Sequence, residues 1–465
     1  MDLRIIAGRF SYNWKFRYFA DFNFGYNGSE NFADGHRFGF FPAFSVAWNV
    51  AEEPWIKKIA PWCNMFKLRY SWGKVGNDNL NIGGTQYRFP YLYTIGDGGS
   101  YQWGDYSYDR NYVGLKYTDV ASVGATWEVA TKHDVGVDLS LFNDKFTATV
   151  DYFHEQRDGI WMERKYLPAI IGLSGITPRA NVGSVLSEGF DGNFAYRQKI
   201  GKVDITVRGN ITYSKNTVLE KDEENNVYPY QMEEGYRVDQ AKGLIALGLF
   251  KDYDDIRNSP KQEFGTVQPG DIKYKDVNGD GVVNDGDRVA IGATTRPNMI
   301  YGFGISGTWK GFDLNVHFQG AGKSSFFIDG PTVYAFSSGE WGNVLKDVAE
   351  SDRWISADIS GNPATENPNA EYPRLSFGGN SNNYRASTFW LRDGSYLRLK
   401  TLEFGYTLPK QIVNKIMFNN IRIFFRGSNI LTFSKFKLWD PELHSSTGTE
   451  YPLSRSLTFG LTVNI

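Results

Sequence analysis

The sequence predicts an all-β chain that spans a membrane as an antiparallel sheet of about thirteen long strands. Three observations carry this. Stretches of ten residues or more alternate apolar and polar side chains with a period of two, the period that sends successive side chains to opposite faces of a strand. The connections between these stretches alternate short and long, as the turns and loops on the two sides of an outer-membrane barrel do. The composition is rich in Tyr (28), Phe (34), Trp (13) and Gly (50) in 465 residues, which suits strands better than a helical core.

The closing stretch, Ser454 to Ile465, shows the pattern best. Leu457, Phe459, Leu461, Val463 and Ile465 fall on one face, and Ser456, Thr458, Gly460, Thr462 and Asn464 on the other. In a soluble sandwich such an apolar face meets a second sheet, whereas in a membrane barrel it meets lipid and the polar face lines the lumen. Taken from the start, the strands are expected at 4–13, 17–27, 36–50, 64–74, 131–143, 145–157, 187–199, 202–215, 297–309, 312–320, 395–408, 419–430 and 454–465. Within them Phe66, Leu68, Tyr70 and Trp72 oppose Lys67, Arg69 and Ser71. Phe312, Leu314, Val316 and Phe318 likewise oppose Asp313, Asn315, His317 and Gln319. Arg398 and Lys400 share the parity of Leu402, Phe404 and Tyr406, which suggests that this strand projects above the lipid before entering it. Strand lengths of about ten residues are what a tilted transmembrane strand needs.

Short turns are expected near residues 14, 144, 201 and 310, and long irregular loops over 75–130, 217–296 and 321–394. A soluble sandwich has no reason to sort its connections in this way. Aromatics beside the short turns (Tyr12, Trp14, Phe16, Tyr18, Trp309 and Phe312) are placed to form an interfacial girdle. The mean hydropathy of −0.42 is no objection, because strands with one lipid-facing side average to a polar value. A formal charge of −2 offers no field to recruit nucleic acid. The single cysteine, Cys63, leaves no internal disulfide framework or cysteine-rich metal site. The first ten residues, M-D-L-R-I-I-A-G-R-F, read as strand rather than as the export signal a membrane barrel needs, so either the barrel reading is wrong or the chain lacks its beginning.

Several stretches resemble the SusC/RagA family of TonB-dependent outer-membrane transporters. They are F-N-F-G-Y-N-G-S-E-N-F (22–32), F-G-F-F-P-A-F-S-V-A-W (38–48) and L-R-Y-S-W-G-K-V-G-N (68–77). G-D-I-K-Y-K-D-V-N-G-D-G (270–281), G-F-D-L-N-V-H-F-Q-G (311–320) and F-W-L-R-D-G-S-Y-L-R-L-K-T-L-E-F-G-Y-T-L-P (389–409) complete the set. The resemblance covers the C-terminal half of such a transporter. It implies that residues 1–465 are about thirteen C-terminal strands of a barrel of about 22, with signal peptide, TonB box and plug not in this sequence. Ile465 departs from the pattern, standing where many outer-membrane proteins end in an aromatic. The resemblance further implies import of oligosaccharides or other oligomers using TonB energy, coupled through TonB–ExbB–ExbD, with a SusD-like lipoprotein as a lid. A two-edged sheet of this kind is expected to stay open and not to transport alone.

One loop carries a metal motif. In D-V-N-G-D-G-V-V-N-D-G-D (276–287), Asp276, Asn278 and Asp280 occupy positions 1, 3 and 5 of a calcium loop. Gly281 stands at position 6, and Asp287 at 12. Val282 offers a backbone carbonyl at 7 and Asn284 a water-mediated contact at 9, the hard-oxygen pattern of a Ca²⁺ site; the bland alternative is a solvated Asx/Gly turn. Loop aromatics, Tyr101, Trp103, Tyr106, Tyr108, Trp341 and Trp354, are candidates for stacking on sugar rings, with Tyr101, Trp103 and Trp341 the substrate-contact choices. More often such residues pack the loop itself. The five histidines (36, 133, 154, 317 and 444) form no metal-spaced pair, and no G-x-S-x-G elbow or phosphate-binding loop is present, so an enzyme is not expected. The competing readings are a barrel hydrolase and a calcium-binding surface or adhesion β-protein without transport.

Overall fold

A computed structural model describes residues 4–102, 111–165, 176–223, 228–337, 343–413 and 418–464. Its main element is one antiparallel sheet of thirteen strands, paired in the order in which they occur in the chain. They are β1 (Arg4–Trp14), β2 (Tyr18–Gly28), β3 (Phe38–Asn49), β4 (Cys63–Asn77), β5 (Glu128–Leu141), β6 (Phe146–Glu163) and β7 (Arg179–Ile200). The remainder are β8 (Val203–Glu220), β9 (Met299–Trp309), β10 (Phe312–Gly322), β11 (Tyr396–Thr407), β12 (Asn420–Ser434) and β13 (Ser456–Asn464). The strand order begins at β1 and ends at β13, so these are the two edges of the sheet, as expected. No helix among the described residues is long and apolar enough to cross a membrane.

The chain divides into two compact units, Met1–Asp191 with Ser214–Asn225 and Glu233–Gly235, and Gly192–Tyr213 with Asn226–Met232 and Tyr236–Ile465. In the first unit the register builds a continuous apolar row. Phe22 lies between Phe10 and Phe44, Val46 pairs with Tyr70, Tyr70 with Val135, and Val135 with Tyr152. The other face of the same pairs carries Ser11 against Asp21, Asp21 against Ser45 and Lys67 against Asp138. A one-residue slip would send Phe10, Phe22, Phe44, Val46 and Val135 to the polar side, so the lipid face itself pins the register. Residues 15–17, 50–62 and 142–145 connect strands at one end, and 29–37, 78–127 and 164–178 at the other.

The second unit repeats the design. Val207 pairs with Ile305, Ile305 with Val316, Leu314 with Phe404, Phe404 with Phe425 and Phe425 with Phe459. Its two-residue turns are 201–202 and 310–311, while the connection from β11 to β12 includes a short helix, Lys410–Val413. Lys310 and Gly311 both have positive φ (50° and 91°), the pair a two-residue hairpin needs. The aromatics beside the short turns gather as the sequence suggests. Trp14 stacks on Tyr18 at 5.7 Å between ring centroids, and Tyr18 on Trp48 at 6.4 Å. Phe312 lies 4.5 Å from Tyr406 and 6.3 Å from Trp309.

Two expectations need correction. Arg398 does not share the parity of Leu402, Phe404 and Tyr406 in the sheet, because a β-bulge intervenes. The register slips at Lys400, so that His317 faces Thr401 while Phe318 faces Leu399, and Arg398 falls opposite the polar Gln319. A bulge adds one residue and inverts parity beyond it. The stretch 75–130 is not wholly irregular either, since Thr94–Gln102 and Asn111–Asp119 pair as a hairpin.

Candidate functional site

The long connections of the second unit do not hang loose. Residues from 244–283, 326–354, 370–390 and 436 pack into one hydrophobic core that includes Leu244, Ile272, Ile328, Trp390 and Phe436. Folding backbone this far from any long ladder leaves N–H and C=O groups to satisfy. Side-chain amides do so. Gln262 accepts from the Tyr274 N–H at 2.6 Å and donates to the Ile272 carbonyl at 3.0 Å. Asn382 donates to that same carbonyl at 2.9 Å. The fully buried Asp271 anchors the web. Its carboxylate accepts from Asn380 and Asn383, both at 2.9 Å, and is paired with Arg374 at 2.7 Å. The Trp390 indole donates to the Asn383 carbonyl at 2.6 Å. Nothing in the spacing of these residues marks them in advance. The short alternation of Asp271, Ile272, Lys273 and Tyr274 is the nearest signal.

On the polar face of the second unit's strands, ion pairs tie neighbours together. Arg422 on β12 donates to Asp313 on β10 at 3.0 Å and to Glu403 on β11 at 2.6 Å, and Arg426 donates to Glu403 at 2.7 Å. Asn315 accepts from Arg208 at 3.0 Å. Beyond the bulge, Arg398 pairs with Asp440 and Glu442, and Lys400 with Glu442 at 3.1 Å. In the first unit Arg69 bridges Asp138 at 2.9 Å and Asp151 at 2.8 Å. Of the lumenal row Asp313, Asn315, His317 and Gln319, the first two are thus held by arginines, the wall role rather than a free solute contact.

The 276–287 loop is closed by its own hydrogen bonds. Asp276 accepts from the N–H groups of Gly279 (2.7 Å) and Gly281 (2.9 Å), and Asp280 from that of Val282 (2.8 Å). The buried Asp287 accepts from Val277 (2.7 Å) and Asn284 (2.9 Å), while Asn278 Oδ1 accepts from Asp280 (2.9 Å). Gly279 and Gly281 supply the positive φ of 75° and 84° that this winding requires. Among the described residues no three His, Cys, Asp or Glu side chains stand close enough to hold a metal. The donors are hard oxygens at alternate positions about a glycine, the donor type that calcium takes, though Asp287 Oδ1 already accepts from both Val277 and Asn278. The Tyr230 phenol is pushed above its ordinary range by burial and then by the nearby Asp287, Tyr228, Asp280 and Asp276, so the acidic groups share one neighbourhood.

Of the aromatic candidates, Tyr101 is 62% exposed and sits opposite Tyr112 in the 94–119 hairpin. Trp103, Tyr106, Tyr108 and Trp341 lie outside the described residues. Trp354 is no open stacking platform: it is 7% exposed and packs into the loop core, its ring against Gly270.

No family model matches the chain. TonB-dependent receptor P3 of Formosa agariphila is 26% identical over 490 residues, covering 99% of this chain and 45% of that receptor. TonB-dependent receptor SusC of Bacteroides thetaiotaomicron is 22% identical over 470 residues, covering 98% of this chain and 43% of SusC. The chain therefore spans about 45% of the length of the curated relatives it matches. Among solved structures, the RagAB peptide transporter matches 100% of this chain and 47% of its own with a TM-score of 0.75 at 19% identity. The RagAB peptide importer in its open-open state gives 0.76 at 18%. The fold is that of part of an outer-membrane β-barrel, and the resemblance to SusC and RagA holds along nearly the whole sequence.

Proposed function

We propose that this chain supplies the C-terminal part of the barrel of a TonB-dependent importer of oligomeric nutrients, glycans foremost, capped by a SusD-like surface lipoprotein. The supporting observation is the apolar belt running unbroken through the register of each unit, on a fold matched along its full length by RagAB. In this reading the strands are scaffold, and selection of the solute falls to the long loops, which are packed and hydrogen-bonded enough to hold a shape. The energy comes through TonB–ExbB–ExbD acting on a part of the transporter outside these 465 residues. The lumenal arginine–carboxylate bridges keep neighbouring strands in register while the lumen is hydrated.

The test is deletion of the gene followed by growth on single oligomers. Loss of growth on one oligomer but not on its monomer, restored by the gene in trans, is the expected result. Growth that never depends on the gene for any oligomer would overturn the reading. Co-purification from detergent-solubilised outer membranes checks the lid.

Calcium at Asp276, Asn278, Asp280, Val282 and Asp287 belongs to the same proposal, as a brace for the loop. When bound, the ion supplies a fixed positive centre. Asp276, Asp280 and Asp287 would hold it with Asn278 and the Val282 carbonyl.

A further inference from the structure

The connection between β3 and β4, residues 50–62, holds a six-residue helix, Pro54–Ile59, in which no residue is buried. Trp55 and Ile59 stand four apart, hence on one face, and are 53% and 74% exposed. Lys58 lies three residues after Trp55, so it shares that side of the helix, and it is exposed too. A helix of this length is not stable alone in water, so its place is set by what it is tied to and what it lies on.

Its tie is Glu53. This buried carboxylate, on the residue before the helix, accepts from the Tyr18 hydroxyl at 2.6 Å and from the Trp48 indole N–H at 3.2 Å. Tyr18 and Trp48 pair across β2 and β3 and stand four residues from Phe22 and Phe44, on the face that carries the apolar row. The helix therefore starts from the lipid side of the sheet rather than from the lumen. The Arg17 Nε–H donates to the Glu52 carbonyl at 3.0 Å and holds the segment to the neighbouring turn. Past the helix, the exposed Trp62 stacks on Phe142 at 5.4 Å between ring centroids, and its carbonyl accepts from the Phe142 N–H at 2.7 Å. The next residue, Cys63, pairs with Leu141, which has the parity of Val135 and Val137 in the same apolar row.

The charges at this end favour an anionic surface. The connections 15–17, 50–62 and 142–145 carry five Lys and Arg against three Asp and Glu. Lys57 is paired with Glu52 at 2.5 Å, and Lys15 lies over the Trp14 ring at 5.0 Å.

We propose that the helix Pro54–Ile59 docks in the head-group layer of the phospholipid leaflet on the short-turn side, which in outer-membrane barrels is the periplasmic side. Trp55 and Ile59 enter the acyl boundary, and Lys58 meets the phosphate of an anionic phospholipid. Indole rings and lysines settle at this depth, where one end of the side chain is apolar and the other wet. Lipid rather than protein is the occupant because the helix continues a lipid-facing surface and its free charge is opposite to that of the lipid. The proposal needs the strands in their membrane and does not depend on which solute is imported.

The whole transporter, purified from outer membranes, is placed in nanodiscs of phosphatidylethanolamine and phosphatidylglycerol. Part of the phosphatidylglycerol carries a photoactivatable diazirine in its head group, and cross-linked residues are mapped by mass spectrometry. Adducts are expected on residues 54–62, and Trp55→Ser with Ile59→Ser is expected to lower their yield at least about fivefold. Lys58→Gln is expected to lower the yield about fivefold with this probe and to leave it unchanged with a phosphatidylcholine probe, the worth of one cation at an anionic surface. Adducts on residues 14–18, in the aromatic girdle, report that each variant is inserted. Labelling of 14–18 without labelling of 54–62 would overturn the proposal and leave the helix face open to a periplasmic protein. Equal yields from the wild type and the variants would overturn it as well.

Discussion

Phe303 on β9 and Trp390 in the loop cluster are both large and apolar, yet 43% of one and 2% of the other is exposed. The second unit keeps two opposite arrangements side by side. Along its strands the apolar side chains point outward, up to Phe459 at 83%, and the charged pairs such as Arg422 with Glu403 lie on the other face. In its loops the usual order returns, with Leu244, Ile272 and Ile328 inside and an amide web around Asp271. The difference is one of solvent. Apolar side chains on the strands are stabilised by lipid, which asks nothing of packing. The same chains in the loops face water and must find one another.

That contrast can be broken by mutation at either pole. Trp390→Ala in the loop core is expected to cost about 3–5 kcal/mol and to loosen the loops to protease, while Phe303→Ala on β9 leaves proteolysis unchanged. Equal protease sensitivity of the two variants would erase the distinction. Phe303→Arg is expected to cost about 2–4 kcal/mol in denaturant refolding into bilayers, because a cation then faces hydrocarbon. Thr308→Arg on the polar face, opposite Asp204 and Asp313, should cost little by the same measurement. For the loop motif, a hundredfold excess of Ca²⁺ over its Kd is expected to stabilise by about 2.7 kcal/mol, seen as a rise in loop melting temperature that EDTA reverses. Asp276→Ala with Asp280→Ala should abolish the rise, and a calcium-independent melt of the intact protein would reduce the loop to a turn. Glu403→Ala removes the shared partner of Arg422 and Arg426 and is expected to cost about 1–3 kcal/mol in unfolding, less than the charge on the lipid side.

The strands were legible because lipid enforces a strict period of two. All thirteen expected stretches coincide with β1 to β13. The signal fades where strands leave the lipid. β7 begins at Arg179 rather than near Ser187, and there Asn181 makes hydrogen bonds of 2.9 Å to Thr126 and 2.8 Å to Gly159, which no alternation announces. Lys400 shows a second way to fail, since a single bulged residue inverts the parity on which the reading depends. The loop core was out of reach because Leu244, Ile328, Trp390 and Phe436 are far apart in the chain, and each segment is too short to show a period. The 276–287 motif could be read at once, and its winding follows the glycines. Tyr101 is exposed, whereas Trp354 turns inward because Gly270 leaves room for the ring.

Pairing in chain order has a consequence for how such a sheet assembles and diversifies. Each strand of the thirteen meets the one that precedes it in the chain, so the sheet can grow by adding strands at an edge, without waiting for distant partners. Closing a connection costs only about 0.6 kcal/mol more for each doubling of its length. The stretch 78–127 between β4 and β5 thus costs about 3 kcal/mol more to close than the turn 310–311 between β9 and β10, far less than in proportion to its length. Such connections can therefore lengthen, shorten or be exchanged without disturbing the ladder that carries them, a loom on which new specificities can be woven.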